Sequence, residues 1–187
     1  NKMIRPTTIP HTYEDLLLEQ AVCREALRLA FIHHKRLAVG LSGVRQQRTI
    51  GDVFRQGQES SLVNMFTLDL IIGSGGVLSH APDRRSAALM LLDSYEPQGV
   101  TLLAVDSIFM MPHLGVLASV HPRAAMEVFE RDCLIYLGTC IAPKGLAKPG
   151  TPICGYKFIF GGLDDSGELR FGDLKRLPLG AGESATV

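Results

Sequence analysis

The chain has 187 residues, 46% apolar and 20% charged, with 19 basic and 19 acidic side chains balancing to zero. That composition suits one globular domain or a domain with a small appendage, and excludes a disordered or membrane-embedded chain. With charge balanced, no basic run, no Trp and aromatics at only 6%, neither the electrostatic footprint nor the stacking platforms of a nucleic-acid binder are present.

Residues 1–11 hold Pro6 and Pro10, show no period, and read as a lead-in. The first residue is Asn1 and the last four are Ser-Ala-Thr-Val; neither end resembles a natural terminus, so the expectation is a piece of a longer protein. No signal peptide or apolar twenty-residue span stands in the sequence, which points to a soluble, cytoplasmic protein. Thr12 and Asp15 have the spacing of a capping box, in which a hydroxyl and a carboxylate satisfy the free N–H groups of a helix start. Leu18, Val22, Leu29 and Ile32, with Ala21 and Phe31 alongside, then mark an apolar stripe at helical spacing and predict a long helix over about 12–36. Glu14, Asp15 and Glu19 crowd its first half and Lys35 and Arg36 its end, as the helix dipole favours; His33 and His34 read as further dipole complements rather than ligands.

Residues 37–66 are rich in Gln, Arg, Ser and Gly. Short elements are expected at 37–41 and 49–54 within a loop or insertion. The four cysteines, Cys23, Cys133, Cys140 and Cys154, form no Cys-x-x-Cys pair. They read as reduced thiols used as small apolar side chains, and no metal site is expected.

Thr67 to Ile72 is a short apolar run that predicts a fully buried strand, and it feeds Gly73-Ser74-Gly75-Gly76. Pro82 and the run Ala87–Leu92 predict the helix that follows. Strand, glycine loop and helix together bring backbone close to a ligand, because glycine has no Cβ in the way and a helix start offers N–H groups. The same glycines serve equally well as a tight strand-to-helix turn. Leu78 stands where a dinucleotide fingerprint needs its last glycine, and no Gly-Lys-Ser/Thr follows, so neither that motif nor a P-loop is present.

Tyr95–Gly99 reads as a turn and Val100–Val105 as a second buried strand, giving a βαβ unit with parallel pairing. Asp106 or Ser107 can cap what comes next. A helix is expected around Pro112, with Gly115 and Ala118 giving it a smooth face, and another over Arg123–Arg131. Asp106, His80 and His113 have the residue types of a catalytic cluster, but a capping Asp and two loop histidines account for them more simply. From Cys133 the pattern turns to strands: 133–142, then 153–160 and 169–177 around the turn-rich Gly161–Gly167. The division expected is an α/β body over 1–132 and a small β-rich unit over 133–187, with a further strand beginning in the tail from Gly180.

Three stretches carry a resemblance. Asp69-Leu-Ile-Ile-Gly-Ser-Gly-Gly-Val-Leu-Ser-His-Ala-Pro82, Ala104-Val-Asp-Ser-Ile-Phe-Met-Met-Pro-His-Leu-Gly-Val-Leu117 and Leu137-Gly-Thr-Cys-Ile-Ala-Pro143 resemble, in order, the C-terminal half of the glutamate mutase L (MutL) family. That family accompanies adenosylcobalamin-dependent mutases and is unrelated to the mismatch-repair protein of similar name; the likeness runs from about Tyr13 to Leu179. It implies the C-terminal subdomain of an actin-like (ribonuclease H-like) ATPase fold, with Gly73, Ser74, Gly75 and Gly76 as the adenosine-side loop for ATP or ADP with magnesium. The helix with Gly115 is similar to the second connecting helix of that fold. No Asp-x-Gly phosphate motif of the kind the family's first half carries stands near the N-terminus. The resemblance therefore implies a chain that hydrolyses ATP only with a missing N-terminal half, since phosphoryl transfer rests on positioning and metal charge. The parent would be an ATP-dependent reactivating factor, chaperone-like, with a mutase as partner. A sugar or carboxylate kinase of the same fold and a non-enzymatic interaction module are the alternatives.

Overall fold

The computed structural model describes residues 4–5, 7–38, 63–161, 163–180 and 185. They form a mixed α/β protein of two compact units, residues 1–142 and 143–187. The boundary expected at 132/133 sits ten residues earlier than this division, because the strand that follows Cys133 is hydrogen-bonded into the first unit's sheet. The expected strand at 37–41 and the element at 49–54 lie outside the described residues, apart from Leu37 and Ala38, which are helical. Most of the tail from Gly180 lies outside them as well.

Helix α1 spans Tyr13–Ala38. Its capping box is formed: the Asp15 amide donates to Thr12 Oγ1 at 3.1 Å, and Asp15 Oδ2 accepts from the Thr12 amide at 3.3 Å. Only the far end of the stripe chosen from the sequence, Phe31 and Ile32, is half-buried. Leu18, Val22 and Leu29 are 65%, 50% and 51% exposed, whereas Gln20 is buried and Cys23 and Leu27 pack against the core. One turn of helix carries apolar residues on more than one face here, and the face that wins is the one that fits the neighbouring helix.

A 3₁₀ turn at Met65–Thr67, capped by Asn64, leads into β1 (Leu70–Gly73). A single-turn helix α2 (Gly76–Ser79) follows, then α3 (Arg84–Tyr95) and β2 (Gly99–Asp106). Pro82 stands just outside α3 rather than within its first turn. Asp83 is the cap, its carboxylate accepting from the Arg85 amide at 2.9 Å. The chain continues through α4 (Met111–Ala118) and α5 (Pro122–Val128) into one π-helical turn at Phe129–Cys133. The prolines at the starts of α4 and α5 sit where a missing N–H costs nothing.

β3 (Leu134–Ala142) completes a sheet of order β1-β2-β3. β1 and β2 are parallel, as a βαβ unit requires, with Leu70 beside Leu102 and Gly73 beside Val105. β3 runs antiparallel to β2, and a bulge falls where Leu103 pairs with Gly138 but Ala104 pairs with Tyr136. The extra residue, Leu137, reaches the core, and Gly138 takes φ 147°.

The core lies between one face of the sheet and the helices. Ile71, Leu103 and Val105 meet Leu78, Ala81, Ala87, Met90 and Leu91. α1 packs outside α3, held by a polar seam: Ser94 Oγ donates to Arg24 O at 3.1 Å, and Arg24 Nη1 meets Asp93 Oδ2 at 3.0 Å. The Phe31 and Tyr95 rings add an edge-to-face contact at 5.1 Å. β1 and β2 were expected to be buried strands, and β2 is buried on both faces from Leu103 to Asp106, but the far face opens toward the strand starts: Leu70 and Val100 are exposed, and Ile141, which pairs with Val100, is exposed too. A second small core of Leu114, Ala125 and Cys133 holds α4 and α5 together.

In the second unit β4 (Pro152–Phe160) and β5 (Leu163–Arg170) form an antiparallel hairpin. The turn-rich stretch 161–167 is therefore mostly strand, and 173–177, the far part of the strand expected over 169–177, has no regular structure. Cross-strand partners explain how polar residues sit in it: Lys157 Nζ meets Asp164 Oδ2 at 3.0 Å, and the Tyr156 ring packs over Gly167.

Candidate functional site

The loops leaving β1 and β2 meet at the carboxyl ends of two parallel strands, the place where open α/β sheets take ligands. The four positions of the glycine loop have four different environments. Gly73 is buried and ends β1; a Cβ there would lie 3.0 Å from Leu78 Cδ1 and 3.2 Å from Leu91 Cδ2. Its missing side chain is a matter of helix-to-strand packing. Ser74 turns its hydroxyl inward. Gly75 takes φ 108°, which side chains rarely adopt, and so makes the turn into α2. Gly76 has ordinary backbone, and a Cβ built on it meets nothing within 4 Å. Gly75 is equally unobstructed. These two glycines therefore offer bare backbone to open space, while Gly73 and Ser74 serve the fold.

The loop is tied down along its length. Gly75 O accepts from the Leu78 and Ser79 amides at 3.1 and 2.8 Å, and Gly76 O from the His80 amide at 3.0 Å. His80 Nδ1 also lies 3.2 Å from Gly76 O, which as an acceptor fixes the proton on that nitrogen. Arg84 Nη1 donates to Ser79 O at 2.8 Å.

Asp106, the last residue of β2, is the centre of the site. It is fully buried. Its Oδ1 accepts from the Met110 amide at 3.0 Å, and its Oδ2 from the Met111 amide at 2.8 Å and from Ser74 Oγ at 3.2 Å. Its backbone carbonyl accepts from Ser79 Oγ. Burial pushes the carboxyl pKa up, but the Met111, Met110 and Ile108 amides and the Ser74 hydroxyl outweigh it, so the group is held below the usual carboxylate range. The expectation that Asp106 caps the following helix is met, though across a four-residue turn rather than directly. Within that turn Phe109 is left-handed, with φ 58°, a conformation costing a non-glycine residue roughly 1–2 kcal/mol.

Asp106, His80 and His113 do not act as a unit. Asp106 spends both oxygens on amides and Ser74, His80 is held by Gly76 O, and His113 lies exposed on α4. Among the described residues no group of three or more His, Cys, Asp or Glu side chains converges as a metal site would. All four cysteines are free. Burial raises the thiol pKa of Cys23, Cys133 and Cys140, as suits apolar fillers. No helix among the described residues is long and apolar enough to cross a membrane. Sequence reasoning named the glycines but missed the Ser74–Asp106 bond, whose signal, a polar residue at each of two strand ends, is common.

A family model described as MutL protein matches residues 1–133, well over half of the chain. No curated protein and no solved structure matches it.

Proposed function

The chain belongs to the MutL protein family, in the glutamate mutase L sense, and from that premise we propose that its glycine loop forms the adenosine side of an ATP site in a reactivating factor for an adenosylcobalamin-dependent mutase. The observation that carries this reading is the open backbone of Gly75 and Gly76 at the carboxyl ends of parallel strands. Such a surface lets a nucleotide approach main-chain atoms with no side chain between. The parallel β1–β2 pair with helices on one face is consistent with the actin-like subdomain that the resemblance implies.

The residues fit the nucleoside and not the metal. Asp106 is the carboxylate nearest the loop in the chain of contacts, and it is buried and engaged by N–H donors, so it has no oxygen to lend to magnesium. When bound, ATP would supply the phosphoryl group whose transfer moves the protein between states. This chain's part is to seat the nucleoside against Gly75 and Gly76, and the phosphate-side and metal-holding groups would come from a partner half of the parent protein.

The test is calorimetric titration of ATP and ADP onto the longest native form, beside Gly76→Asp. Gly76 is the better position to alter than Gly75, because the new side chain meets open space without backbone strain. The expected result is binding by the wild type and a loss of at least tenfold in Gly76→Asp, with its melting temperature unchanged. Equal binding by both would reduce the loop to a turn. Binding by neither would leave the fold as a scaffold and move an interaction role forward, a reading favoured by the exposed apolar side chains of Phe109, Val116 and Val120.

A further inference from the structure

We infer that Asp106 is a positioning residue that couples occupancy of the glycine loop to the segment Ser107–Ala118, with the Ser74 hydroxyl as the connecting group. The inference rests on the reading of the loop as a nucleotide seat and adds a regulation to that site.

The geometry is a clamp with two jaws on one residue. At the start of the loop, Ser74 Oγ donates to Asp106 Oδ2; at the far end of α2, Ser79 Oγ donates to Asp106 O. The same carboxylate holds the first amides of α4, and its Oδ2 serves Ser74 and Met111 together. Ser74 is the one side chain with a polar atom between Gly73 and Gly76. Any ordering of the loop by a ligand is therefore felt at an oxygen that also anchors α4.

The segment beyond Asp106 has the character of an element with two arrangements. Phe109 is held left-handed between Asp106 and the two amides that the carboxylate binds. That strain persists only while the turn is over-determined by its surroundings. Between a tight and a relaxed arrangement of the turn, the bond from Ser74 to Asp106 favours the tight one. When backbone at Gly75 and Gly76 is fixed by a ligand, Ser74 is fixed with it, and the turn tightens. A ligand shifts such an equilibrium by the difference in its contacts with the two arrangements, and here that difference passes through Ser74. The readout is α4, which carries Val116 to solvent while Leu114 holds it to the body.

Hydrogen exchange by mass spectrometry on the full chain tests this, with ADP as the probe, in wild type, Ser74→Ala and Ser74→Thr. Without ligand, Ser74→Ala is expected to speed exchange in the peptide covering Met110–Ala118 by about tenfold, with α3 unchanged, and Ser74→Thr, which keeps the hydroxyl, to restore the wild-type rate. With ADP, wild type and Ser74→Thr should slow exchange in that peptide, whereas Ser74→Ala should bind within threefold of wild type and show no slowing. ADP binding that slows α4 equally in Ser74→Ala overturns the coupling, as does binding that leaves α4 unchanged in wild type. If ADP binds none of the three, the nucleotide reading fails and the coupling of nucleotide to α4 falls with it. The ligand-free rates then still decide whether Ser74 holds the turn: equal rates in Ser74→Ala and wild type overturn that as well.

Discussion

Ser74 Oγ donates to Asp106 Oδ2 across 3.2 Å, joining the ends of two parallel strands 32 residues apart in sequence. The bond shows why a buried carboxylate is tolerated here: every contact the group makes is a donor that would otherwise be unsatisfied in the interior.

Removing that carboxylate leaves the Met110 and Met111 amides and the Ser74 hydroxyl without their acceptor. Asp106→Ala is expected to cost about 3–5 kcal/mol, the range for breaking a buried charged network by deleting one member. Ser74→Ala, which removes one donor and leaves two, should cost about 1 kcal/mol. Urea unfolding followed by circular dichroism measures both.

The same group makes stability depend on acidity. Its folded pKa is lowered from the ordinary value, so its contribution is complete above the unfolded pKa of about 3.9 and is lost as pH falls through the lower folded value. Stability should therefore decline on acidification below about pH 4. In Asp106→Asn, less stable at neutral pH, that decline should be shallower. Urea midpoints taken at pH 7 and at successively lower pH check the slope.

Two glycines of one loop should respond in opposite ways to the same added methyl. Gly73→Ala places a carbon 3.0 Å from Leu78 Cδ1 in a packed core, at a cost of about 1–3 kcal/mol. Gly76→Ala places it in open space at the first position of α2 and should be neutral or stabilising by about 0.5 kcal/mol. Equal destabilisation of both would mean that the loop packs against something it does not touch in this structure.

Glu96 ends α3 in the left-handed region, φ 45°, with its amide on Leu92 O. Glycine takes that conformation without a Cβ penalty, so Glu96→Gly should raise stability by about 1 kcal/mol. The midpoint of thermal unfolding is the simplest check.

The two apolar stripes of α1 and the core beneath α3 give a further contrast. Leu91→Ala, at a side chain with no exposure, should cost about 2–5 kcal/mol. Leu18→Ala, which is mostly exposed, should stay within about 0.5 kcal/mol of wild type. A large loss at Leu18 in a longer form of the protein would identify that stripe as covered there.

Local chemistry was legible in the sequence, and choices between equivalent surfaces were not. Thr12 and Asp15 satisfy each other within one turn, so the start of α1 could be read directly. The parallel pairing of β1 with β2 followed from strand, helix and strand in order. Leu18 and Leu27 are the same residue type on one helix; which of them packs against the core depends on where α3 lies, and that is a long-range fact. The hairpin was misjudged because Asp164, Asp165 and Ser166 have turn chemistry, yet they lie within β5, where Asp164 meets Lys157 of β4 and Asp165 meets Lys175 beyond the strand. At the site, the glycines announced an opening for backbone, but Asp106 looked like an ordinary cap. Its role emerged from the approach of Ser74, which no spacing encodes.

The bulge in β3 has an arithmetic consequence. Ile135 pairs with Val105 and Cys140 with Thr101, so the halves of the strand on either side of Gly138 keep to the same sheet face with opposite parity of residue number. Leu137 is the unpaired residue, but excising its neighbour Gly138 instead would restore an uninterrupted alternation that still turns Ile135, Leu137 and Cys140 to that face. Burial alone thus does not demand the additional residue. What it supplies is curvature, a sharper coil of β3 along its partner, and a strand one residue shorter would be expected to pair as well while lying straighter.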